Sequence, residues 1–362
     1  MHVAFYAEQL YYLPQFTPVI RALIARGHAV TTIVRLDPAL RALALAELES
    51  LGPAHRLVRA DDGADAYAAL RRSAPEWAVF GSFTDPSQAL ASGTRTALVY
   101  HGIGVKNVLF DPRLDGFDLR CVESQRVLDE LLARAPALRE RLALVGFAKL
   151  DPLFASPASP RQAGEAPVLL YAPTFYPSSL ERMPADLSRV LPGARWIVKP
   201  HFFTWTIDKY AGQRARLAQW ARNPAIEVLG PDAYDLVPLM ARADLLVSDA
   251  SSALFEFAAL RRPVVWCRFL KLRWSYRGLL RWRFDRRMDP NTPRYEAVAR
   301  CVDRPDDLPA TLASALAERD RLAGDAAREA LVEHLIGPRD GRAAERIVSE
   351  LERRAPGAAA LS

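Results

Sequence analysis

A chain of 362 residues can bury two hydrophobic cores of ordinary size, so we expect two domains. Half of its residues are hydrophobic and a quarter are charged, which is typical of folded globular proteins and excludes a largely disordered chain. The net charge of +6 favours partners that carry anionic groups, such as nucleotides, anionic polymers, nucleic acids or anionic membranes, without choosing among them.

Three cysteines, Cys121, Cys267 and Cys301, lie far apart in the sequence. Their odd number and the lack of a Cys-x-x-Cys pair argue against a disulfide framework and a zinc site. The first residues do not resemble a secretory signal, and no apolar run reaches the about 18 residues of a transmembrane helix. We predict a cytoplasmic protein without metal or cofactor, either free or peripheral on the inner face of the cytoplasmic membrane.

The first half of the chain alternates short apolar runs with helical patterns. An apolar run at 3–7 is followed by a helical pattern that opens at Thr17-Pro18 and ends at Gly27, and then by a strand at 29–34. This βαβ pattern predicts a parallel sheet covered by helices. Residues 1–154 are predicted to form a Rossmann-like domain, with further strands at 77–80, 96–100 and 142–145.

The second half begins after a segment at 155–167 that is rich in Pro, Ala and Ser and is predicted to be a linker. Residues 168–350 are expected to form another Rossmann-like domain, and 351–362 a tail. The elements expected in the domain at 168–350 are strands at 168–171, 195–198, 226–229, 245–247 and 263–267 and helices at 214–221 and 236–241. Open α/β sheets bind ligands at the carboxyl ends of their strands, so we expect a functional cleft between the two domains.

A hydroxyl-rich turn follows the predicted strand at 245–247. It reads Ser248-Asp249-Ala250-Ser251-Ser252 and leads into a helix that contains Glu256. Hydroxyl donors and free amides at a helix start can hold a diphosphate. The same residues can also serve only to cap the helix, and the turn alone does not decide between the two.

Two histidines also follow predicted strands. His201 comes directly after Lys199-Pro200, where an ammonium group and an imidazole can bind phosphate or protonate a leaving oxygen. His101 follows the strand at 96–100 and precedes a glycine-containing turn that reaches Lys106. An imidazole, with an ordinary pKa of about 6.5, suits removal of a proton from a hydroxyl group. Each histidine alone also fits an ordinary polar surface position.

Taken together, these segments resemble the CDP-glycerol glycerophosphotransferase family, which includes the teichoic-acid primases and polymerases. The resemblance extends from about residue 97 to residue 350. Residues 101–106 are similar to the family's His-Gly-Thr-Pro-Leu-Lys, with Ile103-Gly104 in place of Thr-Pro, and Lys199-Pro200-His201 to its Lys-x-His-Pro, with Phe202 in place of the last proline. Four further segments resemble family motifs: Gly146 to Asp151, Tyr171 to Phe175, Ser248 to Phe257 and Asp340 to Arg346.

The resemblance implies a GT-B fold, with two Rossmann-like doubly wound parallel-sheet domains facing a central cleft. It also implies transfer of glycerol phosphate, or a related polyol or sugar phosphate, from a CDP-activated donor to a hydroxyl of a lipid-linked or polymeric cell-envelope acceptor, with release of CMP. His101 would be the general base and His201 a second catalytic residue. The implied donor ligands are Lys199, Ser248, Asp249, Ser251, Ser252 and Lys106 for phosphate and Thr174 and Glu256 for the nucleotide.

Residues 261–287 combine ten cations with aromatic residues, namely Trp266, Phe269, Trp274, Tyr276, Trp282 and Phe284. Such a segment suits the interface of an anionic membrane, although a phosphate-binding loop or a solvated face has a similar composition. No nucleic-acid-binding module is recognisable, so nucleic acid is not an expected partner.

Two other functions are compatible with the same fold. One is a GT-B glycosyltransferase that uses a nucleotide sugar. The other is a non-hydrolysing UDP-sugar 2-epimerase, which has a similar serine-rich turn. An epimerase needs acid and base carboxylates that face the sugar, and the first half of the sequence offers no convincing pair.

Overall fold

The computed structural model describes residues 1–36, 38–85, 87–103, 107–155, 164–272, 276, 278–285, 296–322 and 324–355. The chain divides into two compact units. Unit 1 comprises Met1–Gly102, Leu109–Ala155 and His334–Ser362, and unit 2 comprises Ile103–Val108 and Ser156–Glu333. The predicted boundary at residue 350 differs from this division, because the chain returns to unit 1 after residue 333.

Unit 1 contains a seven-stranded sheet in the order β3-β2-β1-β4-β5-β6-β7, in which neighbouring strands are parallel. The strands are β1 (His2–Ala7), β2 (Ala29–Val34), β3 (His55–Arg59), β4 (Trp77–Phe80), β5 (Arg95–Val99), β6 (Leu119–Val122) and β7 (Leu142–Leu144). The helices before residue 156 are α1 (Leu13–Ala25), α2 (Pro38–Glu49), α3 (Gly63–Ser73), α4 (Gln125–Arg134) and α5 (Asp151–Ala155).

Unit 2 contains a six-stranded parallel sheet in the order β10-β9-β8-β11-β12-β13. Its strands are β8 (Val168–Ala172), β9 (Arg195–Val198), β10 (Ile226–Val228), β11 (Leu245–Ser248), β12 (Val264–Cys267) and β13 (Arg300–Val302). The helices that follow residue 172 are α6 (Phe203–Thr206), α7 (Ala211–Trp220), α8 (Val237–Arg242), α9 (Ala253–Ala258), α10 (Trp282–Asp285), α11 (Leu308–Ala317), α12 (Arg319–Leu322), α13 (Ala326–Ile336) and α14 (Ala343–Arg353).

The central strands of both sheets are buried along most or all of their length, as expected when helices cover both faces of a parallel sheet. The predicted strands are confirmed to within a residue at each end. Helix α1 begins earlier than predicted, at Leu13, and Pro18 lies inside it. Proline at position 14 starts the helix, because the first turn has no acceptor for its backbone N–H groups.

The last helix, α14, packs in unit 1. The Asp151 carboxylate accepts hydrogen bonds from the backbone N–H groups of Ala343 (3.1 Å) and Ala344 (2.7 Å), which are otherwise unsatisfied at a helix start. Arg346 donates to the Val145 carbonyl oxygen at 2.7 Å. Two of the motifs noted in the sequence, at 146–151 and 340–346, therefore meet here, and they attach the end of the chain to the first sheet.

Candidate active site

Both sheets contain a switch point, where the strand order reverses and the loops after two neighbouring strands separate. In unit 1 this point lies between β1 and β4, and in unit 2 between β8 and β11. The crevice outside the strand ends at such a point is where open α/β sheets bind ligands. The predicted site residues follow strands at or beside these two points.

In unit 1, His101 lies beside the loops that follow β1 and β4. Its Nδ1 atom is 2.8 Å from the carbonyl oxygen of Gly81, the first residue after β4. A carbonyl oxygen only accepts hydrogen bonds, so Nδ1 carries the proton and Nε2 of the neutral ring holds the lone pair. Tyr11, Tyr12 and Tyr100 surround the imidazole, with ring centroids 4.8, 4.8 and 4.4 Å from its own.

A charged pair lies next to this aromatic cluster. Arg35, just after β2, donates to the Glu8 carboxylate at 3.0 Å and to the Tyr6 hydroxyl at 2.8 Å. The Tyr12 hydroxyl donates to the same carboxylate at 3.4 Å. Burial raises the pKa of Tyr11 to about 12 and that of Tyr6 to about 12, so both phenols are protonated at neutral pH. This end of the unit 1 sheet offers hydroxyl and charged groups beside a histidine with a defined tautomer.

In unit 2, Asp249 organises the loop that follows β8. Its carboxylate accepts hydrogen bonds from the backbone N–H (3.0 Å) and hydroxyl (3.2 Å) of Thr174, from the Ser178 hydroxyl (3.2 Å), and from the backbone N–H (3.2 Å) and hydroxyl of Ser179. Asp249 is fully buried, and burial raises the pKa of its carboxyl to about 6 against the opposing effect of these donors. The strand-end turn and the 174–179 loop are thereby joined.

Ser248 and Asp249 were predicted to contact the donor phosphate directly, but both side chains are fully buried in the structure. Ser248 is fully buried and donates to the Ala172 carbonyl oxygen at 2.6 Å. Both side chains are engaged by protein groups across the β8–β11 pair, and a buried carboxylate would also repel an anionic phosphate. Glu256, predicted to bind the nucleotide, is likewise fully buried in α9.

The remaining predicted donor residues of unit 2 are half-buried and therefore retain contact with solvent, namely Thr174, Lys199, His201, Ser251 and Ser252. The Ser251 hydroxyl accepts from the backbone N–H of Ala253 at 3.3 Å, whereas Ser252 makes no side-chain capping bond. Lys106 lies outside the described residues.

His201 has the opposite hydrogen bonding from His101. Its Nδ1 accepts the backbone N–H of Phe203 at 3.2 Å, so Nε2 of the neutral ring carries the proton. The ring packs against Phe175 at 4.7 Å between centroids, which places it beside the loop that Asp249 holds. Three of the sequence motifs, at 171–175, 199–201 and 248–257, therefore lie together at the carboxyl ends of β8, β9 and β11.

The basic aromatic segment divides into a structural part and an exposed part. Trp266 (5% exposed) and Phe269 (3%) are buried in unit 2, which corrects their assignment to a membrane face. Arg262 and Arg268 bind backbone carbonyls and acidic side chains of the unit. Trp274, Arg277 and residues 286–287 lie outside the described residues. Leu279 (97%) and Trp282 (48%) are exposed, next to exposed Arg281 and Arg283.

Several residues of these sites had no signal in the sequence. Gly81 and Tyr12 belong to no motif, and their contacts with His101 depend on strand order. Glu123, the residue after β6, is 6% exposed, and burial raises its pKa to about 7.

Among the described residues, no group of three His, Cys, Asp or Glu side chains has the arrangement of a metal site, and no helix has the length and apolar character needed to cross a bilayer.

Solved structures with a similar fold include a wall teichoic acid polymerase and UDP-N-acetylglucosamine 2-epimerases. The wall teichoic acid polymerase TagF aligns with a TM-score of 0.63 at 13% identity, over 97% of this chain and 88% of that one. A putative UDP-N-acetylglucosamine 2-epimerase from Listeria monocytogenes aligns with a TM-score of 0.62 at 12% identity, over 98% and 96%. S. aureus MnaA with UDP gives 0.61 at 12%, over 97% and 96%. These similarities confirm the predicted GT-B class of two Rossmann-like folds.

No curated protein matches the sequence significantly. The profile of the family described as CDP-Glycerol:Poly(glycerophosphate) glycerophosphotransferase matches residues 118–353. This range holds the Asp249-centred loop, Lys199 and His201, and the two motifs that anchor α14, whereas His101 precedes it. Because the match covers more than half of the 362 residues, the chain belongs to the CDP-glycerol:poly(glycerophosphate) glycerophosphotransferase family and is a transferase of that type.

Proposed function

We propose that the protein transfers glycerol phosphate from CDP-glycerol to a hydroxyl group of a polymeric or lipid-linked acceptor. Family membership supports the donor and the reaction type. The acceptor oxygen forms a bond to the phosphorus that carries glycerol, while the bond between that phosphorus and the bridging oxygen breaks and CMP leaves with this oxygen. The reaction needs a base for the acceptor proton and positive or hydrogen-donating groups for the leaving phosphate.

The opposite hydrogen bonding of the two histidines is the observation that carries the assignment of roles. With Nδ1 donating to Gly81, His101 has its lone pair on Nε2 and can take the acceptor proton there. With Nδ1 accepting from Phe203, His201 has its proton on Nε2 and can donate it in a hydrogen bond to a phosphate oxygen. One histidine is thus prepared as a base and the other as a donor.

On the donor side, we propose that Lys199, Ser251 and Ser252 contact the diphosphate. All three are half-buried and follow strands beside the switch point of unit 2. Ser248 and Asp249 would act indirectly, by holding Thr174 and the rest of its loop in place. Lys106 as a phosphate ligand and Glu256 as a nucleotide ligand stay predictions.

We further propose that the acceptor is reached at an anionic membrane surface, through Leu279, Arg281, Trp282 and Arg283. An exposed leucine and tryptophan beside two cations suit the headgroup boundary, where apolar groups insert and each cation contributes about 1 kcal/mol.

A ligand panel tests the donor assignment. Thermal unfolding is followed with CDP-glycerol, CDP-ribitol, CMP, UDP and UDP-N-acetylglucosamine, because a ligand that binds only the folded state raises the melting temperature. A rise specific to cytidine nucleotides, with CMP released when a polyol phosphate acceptor is added, is the expected result. Stabilisation by UDP ligands alone, or conversion of UDP-N-acetylglucosamine into its epimer, would instead favour the glycosyltransferase or the epimerase.

A further inference from the structure

We propose that Gly81 and Tyr12 are positioning residues for His101. Gly81 supplies the carbonyl oxygen that selects the imidazole tautomer, and its lack of a side chain leaves room for the Tyr12 ring that holds the imidazole in place. The inference rests on the proposed function only in taking His101 as the base.

The carbonyl contact follows from the order of strands in the sheet. β4 and β5 are parallel neighbours, so the residues after Phe80 and after Val99 lie at the same edge. Gly81 is buried there, and its oxygen lies 2.8 Å from Nδ1 of His101. A neutral imidazole can carry its proton on either nitrogen, and the partner of one nitrogen decides which. A base that acts through Nε2 requires the proton on Nδ1.

The requirement for glycine at position 81 is steric. A Cβ atom at this residue would lie 2.6, 2.8 and 2.9 Å from Cδ2, Cγ and Cε2 of Tyr12, closer than such contacts occur. Tyr12 has little freedom to yield, because it is 3% exposed, packs against Phe16 at 5.8 Å between centroids and donates its hydroxyl to Glu8. The Tyr12 ring also packs against the His101 ring, with 4.8 Å between centroids. A methyl group at position 81 must therefore displace the ring that supports the imidazole.

The test compares Gly81→Ala with Gly63→Ala, which adds the same methyl group in unit 1 where no atom lies within 4 Å. We expect Gly81→Ala to lower kcat by roughly 10-fold to 100-fold, the range for loss of a group that orients a histidine, with the Kd for CDP-glycerol unchanged. The hydrogen bond to the carbonyl also stabilises the protonated ring, so displacement of the imidazole from this carbonyl should move the acidic limb of the rate profile to lower pH. Gly63→Ala should match the wild type.

Two further measurements separate positioning from general damage. Adding Tyr12→Ala to Gly81→Ala removes the clash between the new methyl group and the tyrosine ring. The acidic limb of the rate profile of the double variant should therefore lie close to that of Tyr12→Ala alone. Nitrogen-15 NMR of the wild type, with His101 assigned by a His101→Gln variant, should show a protonated Nδ1 and an unprotonated Nε2 without any substrate present. A protonated Nε2 in the neutral ring, or wild-type kinetics for Gly81→Ala, would overturn the proposal. The NMR result does not depend on the reaction, so its failure is distinct from failure of the proposed function.

Discussion

At the scale of single residues, His101 is expected to act on the acceptor and not on the nucleotide. His101→Ala should lower turnover by roughly 10² to 10⁴ because it removes a general base. Affinity for CDP-glycerol should stay close to that of the wild type, since the proposed donor ligands belong to unit 2. Single-turnover rates and calorimetric titration measure the two quantities, and exposed His334 provides the control substitution to alanine. An equal loss of rate and affinity would make His101 a binding residue.

Asp249 gives a second residue-scale prediction, which concerns pH. Its folded-state pKa of about 6 lies above the ordinary value of 3.8, so the folded protein binds this proton more tightly than the unfolded chain. Burial of the charged carboxylate therefore lowers the free energy of unfolding above pH 6. This loss of stability is relieved as the pH falls from 6 towards 4 and the carboxylate takes up its proton. The difference of roughly two pKa units corresponds to about 3 kcal/mol.

Asp249→Asn should abolish this titration. The melting temperature of the wild type should rise relative to that of the variant as the pH falls from 7 to 4.5. The variant should also lose donor affinity, because an amide offers one acceptor oxygen where the carboxylate offers two to the 174–179 loop. A melting-temperature difference that is constant with pH would show that Asp249 does not titrate in this range.

At the scale of elements, the start of α14 depends on a buried cap. Asp151→Ala leaves the N–H groups of Ala343 and Ala344 without their acceptor in a buried position, which costs about 1 to 3 kcal/mol per group. Asp62 caps α3 in an exposed position, where water can replace it. Asp62→Ala should therefore cost only about 1 kcal/mol. Urea denaturation measures the free energy of unfolding of both variants. Equal losses would show that the buried cap of α14 stabilises the protein no more than the exposed cap of α3.

The short turn at Gly278–Leu280 and helix α10 are predicted to bind anionic membranes. Leu279→Ser with Trp282→Ser should reduce flotation with phosphatidylglycerol vesicles while sparing transfer to a water-soluble acceptor. Wild-type binding should weaken at high salt, because ions screen the attraction between cations and headgroups. Leu144→Ser, which removes an exposed apolar side chain in unit 1, is the matched control. Vesicle binding that survives the double substitution would assign attachment to another surface.

At the scale of the whole molecule, apolar runs of the sequence were enough to predict most strands and both parallel sheets. β3 and β6 were missed because polar residues interrupt them. Arg120 in β6 is 3% exposed and is accommodated by the Leu109 carbonyl oxygen and by Asp115, partners that periodicity does not reveal. β13 was missed for the same reason, because it is short and begins with an arginine.

The candidate site was predictable where a motif follows a strand, as for His101, Lys199 and His201. It was not predictable where a partner lies far along the chain. Asp249 reads as a phosphate ligand in the sequence, yet its donors are 70 to 75 residues away, and only the pairing of β8 with β11 brings them together. The contact of Gly81 with His101 likewise depends on the order of β4 and β5.

The return of the chain to unit 1 has a consequence for biosynthesis. Helix α14 contributes the carbonyl oxygen of Leu351 to the indole N–H of Trp77 in β4, and Glu352 to Arg26 at the end of α1. A ribosome makes these residues about 270 to 330 positions after their partners, at roughly 5 to 20 residues per second. Unit 1, the first to be started, is thus the last to be completed, and Trp77 and Arg26 lack these partners for roughly 15 to 60 s while unit 2 is synthesised.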